Sequence, residues 1–153
     1  MLGTEVVDAV VLDLFAGTGA LGLEALSRGA SRAVFVDRDR QALRALGKNV
    51  AAVAPDKVEV LGMPAEQALR LLAGRGAAFD LVFLDPPYDL ELLPPTLSRL
   101  AALDLVRADG AVVCEHHGKT EPPEPPAGWC EVQRRRYGDV AVVIFRAGKG
   151  SAP

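Results

Sequence analysis

Residues 6–15, VVDAVVLDLF, form a nearly unbroken apolar and β-branched run that stops at a loop carrying Gly17, Gly19 and Gly22. A run apolar on both faces suits a strand buried on both sides of a sheet. Glycines placed directly after it let the chain turn tightly into a helix, and residues 20–29 supply that helix, with Leu21, Leu23 and Leu26 able to face a core and Gly29 ending it. The opening of the chain therefore reads as strand, glycine loop, helix.

The same rhythm continues downstream. Residues 33–37 (AVFVD), 58–61, 81–85 (LVFLD) and 111–115 (AVVCE) read as further strands, and residues 40–53, 65–73 and 92–103 as the helices between them. Leu43, Leu46 and Val50 recur at helical spacing. Alternating strands and helices imply a mostly parallel sheet with helices on both faces. After the proline-rich stretch TEPPEPPAG the rhythm changes: residues 129–137 and 140–146 are two extended runs around Gly138 and Asp139, a hairpin signal. The expected architecture is α/β, Rossmann-like, with a seven-stranded sheet ending in an antiparallel hairpin. One domain, residues 1–147, is expected, with residues 148–153 as a frayed tail.

Composition fits that frame. With 153 residues, half of them apolar, and a net charge of −3 from 17 Lys+Arg and 20 Asp+Glu, the chain can bury roughly 68–70% of its unfolded surface and lacks the signature of disorder. No apolar run approaches the ~20 residues of a spanning helix, and the first residues lack the basic start of a signal peptide. Cys114 and Cys130 form no ligand pair, so they read as reduced thiols of a cytoplasmic protein, and no metal site is expected.

Two motifs carry chemistry. In the first, Asp13 to Gly22 (DLFAGTGALG), the glycines match GxGxxG between a strand and a helix, and Asp37 follows twenty residues after Gly17 at the end of the next strand. The loop lets a ligand approach the backbone, and Asp37 suits ribose hydroxyls. Dinucleotides and S-adenosylmethionine both use such a loop. The second motif is Asp85-Pro86-Pro87-Tyr88 at the end of the fourth strand, where ligands of open α/β sheets bind. Two prolines stiffen the loop, Asp85 can accept from an exocyclic amino group, and Tyr88 offers a face on which a base can stack. A nucleobase amine has its lone pair delocalised into the ring, so acceptors that orient its hydrogens are what its alkylation needs.

The loop DLFAGTG resembles the first motif of class I S-adenosylmethionine methyltransferases, and DPPY the fourth motif of those that methylate exocyclic base amines. Together with LDLFAGTGALGLEALSRGA, RDRQAL, LVRADGAVVCEH and RRRYGDVAVVIF, they are similar, over nearly the whole chain, to the bacterial RsmD-type methyltransferases. The resemblance implies a monomeric, cytoplasmic enzyme that methylates N2 of a guanine in 16S ribosomal RNA, or in the assembling small subunit, with no membrane partner. It implies that Asp13, Phe15, Ala16, Gly17, Thr18 and Gly19 line the cofactor loop and that Asp37 stands at the ribose, with Arg38 and Met63 also among the cofactor contacts. Asp85, Pro86, Pro87 and Tyr88 then form the catalytic loop, with Asp85 also facing the cofactor. Glu24 matches a family glutamate, as easily a solvated helix residue as a cofactor contact.

Two departures accompany the resemblance. Relatives carry a basic segment before the first strand that helps hold RNA, and it is expected to be absent from this chain. Where relatives place a polar residue near the adenine, this sequence reads Gly62-Met63-Pro64-Ala65, leaving backbone groups or packing by Met63. Arg134, Arg135 and Arg136 read as a solvated or charge-paired edge more readily than as phosphate contacts, and His116 and His117 as structural or loop residues. Three other readings stay open: an amino-methyltransferase of DNA adenine or cytosine, a Rossmann oxidoreductase, and a cofactor-binding module without turnover.

Overall fold

The computed structural model describes residues 3–53, 55–86 and 90–148. In chain order these build β1 (Val10–Leu14), α1 (Ala20–Ser27), β2 (Arg32–Asp37), α2 (Arg40–Val53), β3 (Val58–Gly62), α3 (Ala65–Gly74) and β4 (Phe79–Leu84), followed by α4 (Leu93–Ala102), β5 (Val106–His117), β6 (Cys130–Tyr137) and β7 (Val140–Arg146). They form one seven-stranded sheet in the order β3-β2-β1-β4-β5-β7-β6. The first five strands are parallel, and β7 pairs antiparallel with both β5 and β6. The mostly parallel sheet is what the alternation of elements predicts, and the whole is the class I methyltransferase arrangement that the resemblance implies.

Side chains alternate across the strands, and each face has its own core. Leu12, Leu14, Val82, Leu84, Val112 and Cys114 pack beneath α3 and α4, against Leu69, Leu72, Leu97 and Leu100. Val11, Phe35, Leu81, Phe83 and Val113 pack on the other side beneath α1 and α2, against Ala25, Leu26, Leu46 and Val50. Burial on both faces explains why the strands read as continuous apolar runs.

The structure departs from the sequence-derived reading in ways that bear on the site. The first apolar run does not make one long strand: Gly3–Val6 is a 3-10 turn, Asp8 has φ 64°, and only Val10–Leu14 is extended. β5 begins at Val106, earlier than residue 111, because its start pairs with Phe79 before an irregularity resets the register at Leu81. Leu21, expected to face the core, is 39% exposed, whereas the small Gly22 and Ala25 are buried. Where α1 lies closest to the sheet its inner stripe is the small Gly22 and Ala25, with Leu26 also buried one turn on.

Candidate active site

The strand order reverses between β1 and β4, so the crevice beyond their carboxyl ends is the topological switch point where open α/β sheets bind ligands. Asp13 on β1, Asp37 at the end of β2, Asp85 just past β4 and Glu115 on β5 bring their carboxyl groups to this rim.

The glycine loop is held from below by two of those acids. Asp13, only 2% exposed, accepts a hydrogen bond from the Gly22 N–H at 3.0 Å. Gly19, the residue before α1, makes no side-chain cap, so the buried carboxyl of Asp13 does the capping from the strand beneath. Burial pushes Asp13 up to about 7, opposed by the Gly22 bond and reinforced by the Asp85 and Asp37 charges. Asp37 accepts from the Gly17 N–H at 2.8 Å with one oxygen and from the Asp39 N–H at 2.9 Å with the other. Asn49 of α2 donates to the Thr18 carbonyl at 2.9 Å. The turn requires left-handed backbone at Gly17 and Gly19 and also at Phe15, where φ is 65°. For a non-glycine residue that conformation costs about 1–2 kcal/mol, held here by the surrounding bonds.

Next to this loop a cleft of ≈ 770 Å³ lies between the ends of β1, β2 and β3 and the starts of α3 and α4. Of the residues expected at the cofactor, Phe15, Asp37, Arg38 and Met63 line it. Ala16, Thr18 and the glycines stand in the adjoining loop, Asp13 is buried under it, and Asp85 is exposed beyond it. The size falls in the range of pockets for nucleoside-sized ligands, and Asp37 sits on its wall half-buried, with lone pairs left over for a diol. Pro86 is buried, while Pro87 and Tyr88 lie outside the described residues.

Sequence reasoning missed the far wall. Thr96, nearly buried, and an ion pair between Glu66 of α3 and Arg99 of α4 at 2.8 Å close it. Nothing in the spacing of Glu66 and Arg99 announces their meeting. It also missed Glu115, although a signal existed: the strands LVFLD and AVVCE both end in an acid, which parallel pairing aligns. Glu24 ion-pairs with Arg28 on the solvent side of α1. His116 is buried, its Nδ1 beside the His117 carbonyl and Thr120 Oγ1. Arg134 pairs with Glu131 on exposed β6. Among the described residues no cluster of three His, Cys, Asp or Glu could hold a metal, and no helix is long and apolar enough to cross a membrane.

A second hollow of ≈ 500 Å³ opens at the opposite end of the sheet. The ion pairs Arg107–Asp80 and Arg146–Glu5 line it, which fits a role in joining the strand starts.

Residues 1–146 match the family described as Conserved hypothetical protein 95. The chain belongs to this family, the RsmD-type methyltransferases. It is 38% identical over 136 residues to YlbH of Bacillus subtilis, provisionally named an rRNA methyltransferase, covering 88% of this chain and 74% of YlbH. It is 34% identical over 145 residues to Ribosomal RNA small subunit methyltransferase D of Escherichia coli, covering 95% of this chain and 72% of that protein. A conserved hypothetical protein of Streptococcus pyogenes superposes with a TM-score of 0.85 at 36% identity, covering 94% of this chain and 89% of the other. This RsmD-family chain thus combines the strand order of class I S-adenosylmethionine-dependent methyltransferases with a glycine loop held by Asp13 and Asp37.

Proposed function

We propose that this protein methylates the exocyclic N2 of a guanine in 16S ribosomal RNA, as a cytoplasmic monomer acting on the RNA or the assembling small subunit. The observation that carries the reading is the acid-rimmed glycine loop in a chain of this family. S-adenosylmethionine supplies a methyl group on a sulfonium, an electrophile already strong enough for transfer to an amine.

The rim suits that ligand better than a dinucleotide. The N–H groups of Gly17 and Gly22, which would cradle a pyrophosphate at a helix start, are already taken by Asp37 and Asp13. Carboxyl groups in that place repel phosphate and attract a sulfonium. In this reading Asp37 holds the ribose hydroxyls, Phe15 and Met63 pack on the nucleoside, and the glycine loop passes the methionine portion. Asp85 accepts a hydrogen from the guanine amine, turning its lone pair towards the methyl group, and takes the proton the amine sheds as the new N–C bond forms. Pro86 and Pro87 restrict the backbone around that carboxylate, and Tyr88 supplies a stacking face for the base.

The test is transfer of labelled methyl to small ribosomal subunits lacking the modification, followed by identification of the nucleoside. N2-methylguanosine that disappears with Asp85→Ala is the expected result; label in another nucleoside, or none with cofactor bound, overturns the base or the substrate.

A further inference from the structure

We propose that Glu115 is a positioning residue for methyl transfer: its carboxyl group donates a hydrogen bond to the Asp85 carboxylate and fixes the orientation in which Asp85 meets the substrate amine. This rests on the methyltransferase reading above and assigns a role to a residue outside both motifs.

The geometry comes from sheet register. β4 and β5 run parallel with Phe83 opposite Val113 and Leu84 opposite Cys114, so residues 85 and 115 are next in line on neighbouring strands, about 4.8 Å apart in backbone. Phe83 and Val113 both face the α1/α2 core, and the alternation of strands carries Asp85 and Glu115 to that same side. Asp85 is exposed and Glu115 half-buried, so the pair spans the boundary between core and crevice. Because Asp85 precedes a proline, its backbone is confined to extended conformations. Only its side-chain torsions remain free, and a donor on Glu115 removes that freedom.

The hydrogen bond to Asp85, burial and the Asp85 charge together raise Glu115 to about 7, largest cause first, so Glu115 carries its proton through the acidic range and loses it as pH rises past about 7. Other charges face the pair. Asp13 of β1 interacts with Asp85. On β5 itself His117 shares the face of Glu115, and across β7 the row from Glu115 runs through Val142 to Arg135 of β6, the cation in that row. α1 and α2 pack against this face through apolar side chains.

Three variants test the proposal. Glu115→Gln keeps a donor towards Asp85 at every pH, and Glu115→Ala has none. With saturating RNA and cofactor, wild-type kcat falls as pH rises through about 7, Glu115→Gln keeps most of the activity with that limb flattened, and Glu115→Ala loses up to roughly 10²-fold in kcat, the scale of a misplaced catalytic group. Cofactor affinity, measured by calorimetry, stays unchanged in both variants. In carbon-13 spectra of glutamate-labelled protein, one carboxyl titrates near the neutral range and moves down in Asp85→Asn, which removes the Asp85 charge while burial remains. The proposal is overturned if Glu115→Gln behaves like Glu115→Ala, if it keeps the wild-type pH limb, which would then belong to Asp13, or if no glutamate titrates high. A wild-type chain that transfers no methyl removes both this role and the function it rests on, whereas normal wild-type transfer with any of those results removes only the role of Glu115.

Discussion

At the scale of single residues, the site is governed by which carboxyl groups are solvated and which are not. Asp37 is bound to two backbone N–H groups and half-open to the cleft. Charge-assisted bonds of this kind are worth about twice neutral ones. Asp37→Ala leaves the Gly17 N–H without its acceptor and removes the ribose contact proposed for Asp37, and calorimetry should show cofactor affinity reduced by at least ~10-fold, corresponding to one such bond of about 1.5–3 kcal/mol. Asp13 behaves differently because it is buried. Its folded pKa of about 7 lies above the 3.8 of the free side chain, so folding takes up a proton between those values. The stability it contributes is fully present below about pH 4 and is lost as pH rises to about 7. Asp13→Asn keeps an acceptor for Gly22 and cannot ionise. Urea melts below about pH 5 and above about pH 8 should therefore differ by less in the variant than in the wild type, by on the order of 2–3 kcal/mol.

At the scale of elements, the junction of β1 and α1 shows how closely a helix can be laid on a sheet. A methyl group at Gly22 would come within 2.4 Å of the Phe35 ring, and one at Gly19 within 2.4 Å of Leu46, where φ is 86° as well. On an exposed helix Gly→Ala gains about 1 kcal/mol; overpacking a core costs typically 1–3 kcal/mol, so the sign reverses here. Gly22→Ala should lower Tm, and adding Phe35→Leu should recover part of the loss, which a thermal melt of the double variant will show. This junction was legible in the sequence because the glycines follow an apolar run and precede leucines at helical spacing. The alternation of strands with helices and the final hairpin were legible for the same reason, since period and turn residues are local signals; the spatial order of the strands was not. Glu66 with Arg99, and Glu115 with Asp85, were not, since partners thirty residues apart meet only once helix packing and strand register are known. Leu21 misled because an apolar residue at the right period is indistinguishable in sequence from one that α1's close approach turns outward.

At the scale of the whole molecule, stability rests on two cores divided by one sheet, and the last strand completes both. β7 contributes Val143 and Phe145 to the side under α3 and α4 and Val142 and Ile144 to the other. Phe145 is fully buried, whereas Val132 on edge strand β6 is 50% exposed. Phe145→Ala should cost roughly 3–5 kcal/mol, a large part of a total of typically 5–15 kcal/mol, and Val132→Ala less than about 0.5 kcal/mol. Urea titration of the two variants checks the contrast, and equal losses would mean the hairpin folds apart from the sheet. The position of β7 has a further consequence during synthesis. It is inserted between β5 and β6 although it is made after both, so a nascent chain that has already delivered β5 and β6 leaves the edge of β5 without its neighbour. At ~5–20 residues per second that interval is brief but unavoidable, and any stall before Val140 leaves the ribosome displaying a bare, apolar strand to the chaperones and to other unfinished chains.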